Sequence, residues 1–134
     1  MKKRYIVIPA SMALLLGLCA ANSAMPEGFE KNQVLTLSKN FITKANRRAY
    51  ENCYSLLSPA MRDSMSCARL ESILSPVLDS LGDFVRFKGF SVTAKQTKGQ
   101  PYVQCIVKCQ YENESADFTI SIGKDLMISG LSIH

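Results

Sequence analysis

The feature that most constrains the fold is a change of hydrophobic period at Gly82. Before it, apolar residues recur at three- and four-residue steps; after it, they alternate with polar ones. A chain that changes period once gives its first half to helices and its second half to strands. That is an α+β pattern, with helices packed on one face of an antiparallel sheet.

The helical half predicts three helices. The first runs from Phe29 to about Arg47, with Val34, Leu37, Phe41 and Ala45 on one stripe and Lys31, Lys39 and Lys44 off it. A short second helix runs from about Arg47 to Leu57. Tyr50, Cys53, Tyr54 and Leu57 share its face, and Ser58-Pro59 stops it. The third covers about Cys67 to Leu81, with Ser64 or Ser66 as N-cap and a stripe through Leu70, Ile73 or Leu74, Val77, Leu78 and Leu81. Pro76 lies inside that stripe and predicts a kink or a restart, because proline removes a backbone donor. Gly82 is the natural stop.

The second half predicts four strands. In Phe84–Lys98 the apolar parity runs through Val85 and Phe87, then slips to Phe90, Val92 and Ala94, which predicts a β-bulge at Gly89. Tyr102–Glu112 alternates most cleanly: Val103, Cys105, Val107, Cys109 and Tyr111 point one way, Gln104, Lys108 and Gln110 the other. Ala116–Gly123 and Leu126–Ile133 complete the set, with turns at Lys98–Pro101, Glu112–Ser115 and Gly123–Asp125.

Ahead of the helices stands a different kind of segment. Residues 1–24 begin with Lys2, Lys3 and Arg4, continue through an apolar run to Ala21 and close on small residues. That order is the layout of a secretory leader, so residues 25–134 are expected to be the single folded domain of an exported protein. The apolar run is shorter than the ~20 residues a membrane span needs, and it contains Pro9. A lipidated Cys19 is the alternative, with membrane contact only in that case; Leu18 stands where such signals want a small residue. The leader also carries most of the net charge, 3 of the +5. The chain has 16 basic and 11 acidic residues; without Lys2, Lys3 and Arg4 the balance is 13 against 11. A mature balance of +2 gives no footprint for nucleic acid, which needs Lys and Arg clustered on one face.

Phe41 on the first helix, Ala49-Tyr50 on the second, Leu81-Gly82 before the sheet and Ile128-Ser129-Gly130-Leu131 in the last strand resemble a bacterial family of unknown function, domain family 3887. The resemblance covers about Phe29 to Ile133. It implies a nuclear-transport-factor-2-like, cone-shaped fold: three N-terminal helices on a curved four-stranded antiparallel sheet. It brings no assigned activity. Some relatives place this domain ahead of a hydrolase domain, so an accessory role here would act in trans.

Four cysteines remain outside the leader: Cys53, Cys67, Cys105 and Cys109. An even count in an exported domain suggests disulfides. Cys105 and Cys109 are four residues apart on one strand, about 13 Å at ~3.3 Å per residue, too far to bond to each other. The open choices are Cys53–Cys105 with Cys67–Cys109, Cys53–Cys109 with Cys67–Cys105, a lone Cys53–Cys67 bridge, or buried thiols packing as small hydrophobes. The spacing lacks C-x-x-C, and neither a redox enzyme nor a zinc site is expected.

No catalytic constellation stands out. His134, the one histidine, is the last residue. Asp79 with Asp83, and Glu112 with Glu114, flank a helix end and a turn and read as surface charge. No nucleophile-elbow, phosphate-loop, dinucleotide or zincin motif occurs, and no metal or cofactor is expected. A cone would enclose a pocket lined by Tyr54, Val103, Cys105, Val107 and Tyr111; the plain reading of the same residues is core packing. The sequence therefore points to a non-catalytic exported module binding a small apolar ligand or a protein partner. Two alternatives stand beside it. A small isomerase or hydratase would need a carboxylate such as Asp117 in a cavity. A dimerising module would use the sheet face to form a homodimer.

Overall fold

A computed structural model describes residues 29–134 and the backbone of Ile6–Ile8. The leader expected over residues 1–24, Cys19 included, otherwise lies outside the described residues.

Four helices come first: α1 (Lys31–Asn46), α2 (Tyr50–Ser55), α3 (Pro59–Ser64) and α4 (Cys67–Leu81). The extra one is α3. Ser58-Pro59, which closes a helix on a sequence reading, opens one instead. Ser58 accepts a hydrogen bond from the Met61 amide at 3.3 Å, and Pro59 takes the first turn, where its missing N–H costs nothing. Ser66 caps α4 through the Arg69 amide at 3.1 Å, and α4 runs unbroken through Pro76.

Gly82 ends α4 at φ 86 and does more than stop it. A Cβ there would come within 3.0 Å of the Glu112 Cβ and the Asn113 side chain. The turn between the second and third long strands is folded onto this junction: the Asn113 amide donates to the Leu81 carbonyl at 2.9 Å and the Glu112 amide to the Asp83 carbonyl at 2.8 Å.

The strands are β1 (Ile6–Ile8), β2 (Phe84–Thr97), β3 (Gln100–Tyr111), β4 (Ser115–Ile122) and β5 (Ile128–Ile133), in spatial order β1-β5-β4-β3-β2. Every pairing is antiparallel. Lys98 and Gly99, at φ 51 and 77, make the two-residue turn that joins β2 to β3, both with the positive φ that such a tight hairpin requires.

The helices pack on one face of this sheet, as an α+β pattern requires, but the cone expected from the family resemblance is absent. The sheet is an open meander whose outer strands do not pair with each other, neither closed nor curled. The physical reason lies at its edges. Five strands fall short of the roughly eight that close a filled barrel. β2 bears Arg86, Lys88 and Lys95 on a bulged edge. β5 is met from outside by the α2–α3 connection, where the Ile128 amide donates to the Leu56 carbonyl and its carbonyl accepts from Ser58.

The core lies between the helices and the inner sheet face. Val34, Phe41, Ile42 and Ala45 of α1, Leu70, Leu74, Val77, Leu78 and Leu81 of α4, and the alternate residues of β3, β4 and β5 fill it. Inward residues of β3 and β4 are buried without exception from Val103 to Tyr111 and from Ala116 to Ile122.

Candidate functional site

The residues expected to line a cone pocket lie in the core or at its rim. Val103, Cys105 and Val107 are wholly buried, and Tyr111 is 1% exposed. The Tyr111 hydroxyl donates to Asn46 Oδ1. Burial raises the phenol's pKa above its ordinary value, the neighbouring Cys109 adding to the rise. Tyr54 is half-buried; its hydroxyl lies 2.8 Å from both the Arg62 and the Met65 carbonyls and has one hydrogen to give. These phenols serve the helix connections.

The cysteines of the described residues are free thiols, Cys53, Cys105 and Cys109 buried and Cys67 half-exposed. Burial pushes the Cys53 and Cys109 thiols up to about 12, and the Cys105 thiol is raised by the same cause. Thiols held protonated this firmly are poor nucleophiles and poor metal ligands at neutral pH. Cys53 is the one of the three that also senses Cys67, whose charge would add to its rise.

The carboxylates are accounted for. Asp79 forms a 2.8 Å ion pair with Arg48, and both partners are exposed. Glu112 Oε1 accepts from the Asp83 amide at 3.3 Å. Asp117 stands between buried Ala116 and Phe118, so its side chain belongs to the outer face of the sheet rather than to a cavity. Its backbone exchanges two 3.0 Å hydrogen bonds with His134. Among the described residues, no group of three or more His, Cys, Asp or Glu side chains could hold a metal ion.

The surface offers two other features. The first is an open groove of about 410 Å³ between α1 and the β4–β5 turn, lined by Asn32, Gln33, Thr36, Leu37, Asn40 and Leu126. Its exposed lining is mostly apolar, and none of its lining residues is charged.

The second is an aromatic stripe on β2. Phe84, Phe87 and Phe90 are three residues apart, a spacing that would alternate faces on a regular strand. Two bulges cancel the alternation. The pairing runs Phe84↔Tyr111, Phe87↔Cys109 and Phe90↔Val107, with one residue added to β2 in each interval. All three phenylalanines therefore face the helix side. The bulge expected at Gly89 is one of the pair; the other, at Val85, removes Val85 from the inward set and puts Phe84 in its place. Phe84 meets Phe87 edge-on at 4.9 Å and Tyr111 at 5.4 Å, and Phe87 lies 5.9 Å from Phe90.

The helix layer does not reach far enough to cover this stripe. α1 sends Lys39 over it, the ammonium 5.3 Å from the Phe87 ring and 5.2 Å from the Phe90 ring. Phe90 stays 40% exposed and Val85 54%; they are the exposed large hydrophobics among the described residues, and both lie on β2. Every charged residue of β2 is a cation: Arg86, Lys88 and Lys95. Sequence reading passed over this face because Phe84, Phe87 and Phe90 look like core residues on a slipped strand. The three-residue spacing itself was the available signal.

Helices on one face of an open antiparallel meander define a small α+β domain. The sequence matches the model of the family described as "Protein of unknown function (DUF3887)" over residues 38–131, and the chain belongs to that family. An NMR structure of a protein from Ruminococcus gnavus ATCC 29149 has the same fold. Its TM-score is 0.69 at 20% identity, over 80% of this chain and 93% of that one. No curated protein matches the sequence.

Proposed function

We propose that this chain is a non-catalytic exported module that binds an acidic protein partner through the β2 face. Kinship with nuclear-transport-factor-2-like domains enters at the level of element order alone, helices first and then an antiparallel meander. The observation that carries the reading is the stripe of Phe84, Phe87 and Phe90, left partly open at Phe90, with the Lys39 ammonium held over Phe87 and Phe90.

An aromatic patch of this kind supplies the apolar centre of an interface, and the Lys39 ammonium held over it selects the partner's charge. Export is supported by the order of residues 1–24; among the described residues no helix is long and apolar enough to cross a membrane. Intact mass of the protein from its producing cells reports the cleavage point and whether Cys19 carries lipid.

The test of binding is selection from a displayed peptide library on the immobilised protein. Enriched sequences should be acidic and contain apolar anchors, and binding should weaken with salt. Phe90→Ser and the charge reversal Lys39→Glu should each abolish the enrichment. Enrichment that is basic or neutral, or unchanged by Phe90→Ser, would reject the reading.

A further inference from the structure

The other edge of the sheet invites a strand. His134 and Asp117 exchange their backbone hydrogen bonds, so by alternation Ser132 also faces β4, while Leu131 and Ile133 turn their N–H and C=O groups outward. Those outward groups lie where β1 pairs, in the register Ile6↔Ile133, Val7↔Ser132 and Ile8↔Leu131. The acceptor edge is short. At its N-terminal end Ile128 is already bonded to Leu56 and Ser58. β5 carries no charge at all, and of its six residues Ile128, Leu131 and Ile133 are buried on the helix side.

The strand seated there belongs to the segment read as a leader. Its removal on export vacates the edge, leaving a neutral strand with unpaired backbone groups, an arrangement that exposed sheets avoid by pairing or by charge. We propose that a second copy of the chain takes the vacated place, β5 pairing antiparallel with β5 across a two-fold axis at Ser132.

The geometry suits this occupant. With Ser132 opposite Ser132, Leu131 of one copy faces Ile133 of the other, so the outward residues of both strands meet as hydrogen-bonded pairs. The sequence pattern Leu131-Ser132-Ile133 repeats the apolar spacing of Ile6-Val7-Ile8. β5 ends at Ile133, so paired in this register neither strand reaches the place beside Ile128 that Leu57 occupies. A balance of +2 without the leader imposes little repulsion between copies.

The proposal rests on the leader being removed, and the test separates the two questions. A chain beginning at Met25 keeps every buried core residue among those described, the first of which is Val34. Light scattering should report two copies per particle at high micromolar concentration, and one copy for the full chain, whose edge is filled. Ser132 is half-exposed on the outer face and, under this register, is the closest cross-axis pair. Ser132→Lys and Ser132→Glu should each weaken the dimer about fivefold through like charges set directly opposite, and mixing the two variants should restore it. A chain from Met25 that stays monomeric, or a dimer that both Ser132 variants leave untouched, overturns the proposal. Intact mass showing residues 1–24 retained would overturn export, while the Met25 chain still decides the edge.

Discussion

The two edges of this sheet solve the same problem in opposite ways. β2 is long, 14 residues, and ends the sheet, with no strand paired beyond it among the described residues. It is bulged twice within its first six residues and bears Arg86, Lys88 and Lys95. Bulges and lysines are what natural sheets use to refuse a further strand. β5 is short, uncharged, and paired along its outer side by Leu57 and by β1. The difference teaches that exposure alone does not mark a docking site. β2 rejects strands yet presents aromatic side chains, so its chemistry is that of a face. β5 hides its apolar side chains in the core and offers backbone groups, so its chemistry is that of an edge.

The largest expected effect concerns the core that both edges share. Cys53 and Cys109 are neutral in the fold and held so up to about 12, whereas in the unfolded chain they ionise near 9.0. With the folded values raised, the unfolded chain binds fewer protons between those limits. Stability is therefore fully present below about pH 9 and falls as pH rises, by about 1.4 kcal/mol per unit per thiol. Urea midpoints should be flat from neutrality to about pH 9 and then drop steeply; a flat profile to pH 11 would show that these thiols are not protected.

Truncations should then separate the edges. Leu131→Ala, at a buried position behind the β5 edge, should cost about 2–5 kcal/mol. Phe90→Ala, partly exposed on β2, should cost less than about 1 kcal/mol while abolishing partner binding. Equal costs would erase the distinction between an edge whose side chains are core and a face whose side chains are surface. Gly82→Ala lies between them, at about 1–3 kcal/mol, since it must hold a positive φ and crowd Glu112. The loss of a single polar contact has a cost of similar size to that of Phe90→Ala. Ser58→Ala should cost about 1 kcal/mol through the lost cap of α3. Lys39→Ala should cost about 0.5–1 kcal/mol through the lost contact with Phe87 and Phe90. Thermal melts resolve both.

How much of this was legible in the sequence varied by level. The change of period at Gly82 and the inward set Val103 to Tyr111 follow from local rules and hold in the structure, and the turn expected over Lys98–Pro101 shrinks to Lys98-Gly99 because Gln100 and Pro101 pair in β3. α3 escaped because Ser-Pro both ends and begins helices, and six residues give too little periodicity to decide between them. The open sheet escaped because closure depends on what the two outer strands meet in space, which no local pattern encodes. The aromatic face escaped for a related reason. A three-residue spacing becomes a single face only if bulges fall at both Val85 and Lys88, and one bulge alone leaves Phe84 on the other side.

The central claim is that the β5 edge is made for a strand and the β2 edge is not. Hydrogen exchange on the chain beginning at Met25, followed across a range of concentrations, tests it most directly. The account predicts that the Leu131 and Ile133 amides gain protection as concentration rises, while the outward amides of β2 exchange at the same fast rate throughout. Protection of β2 that grows with concentration, with Leu131 and Ile133 unchanged, would contradict it.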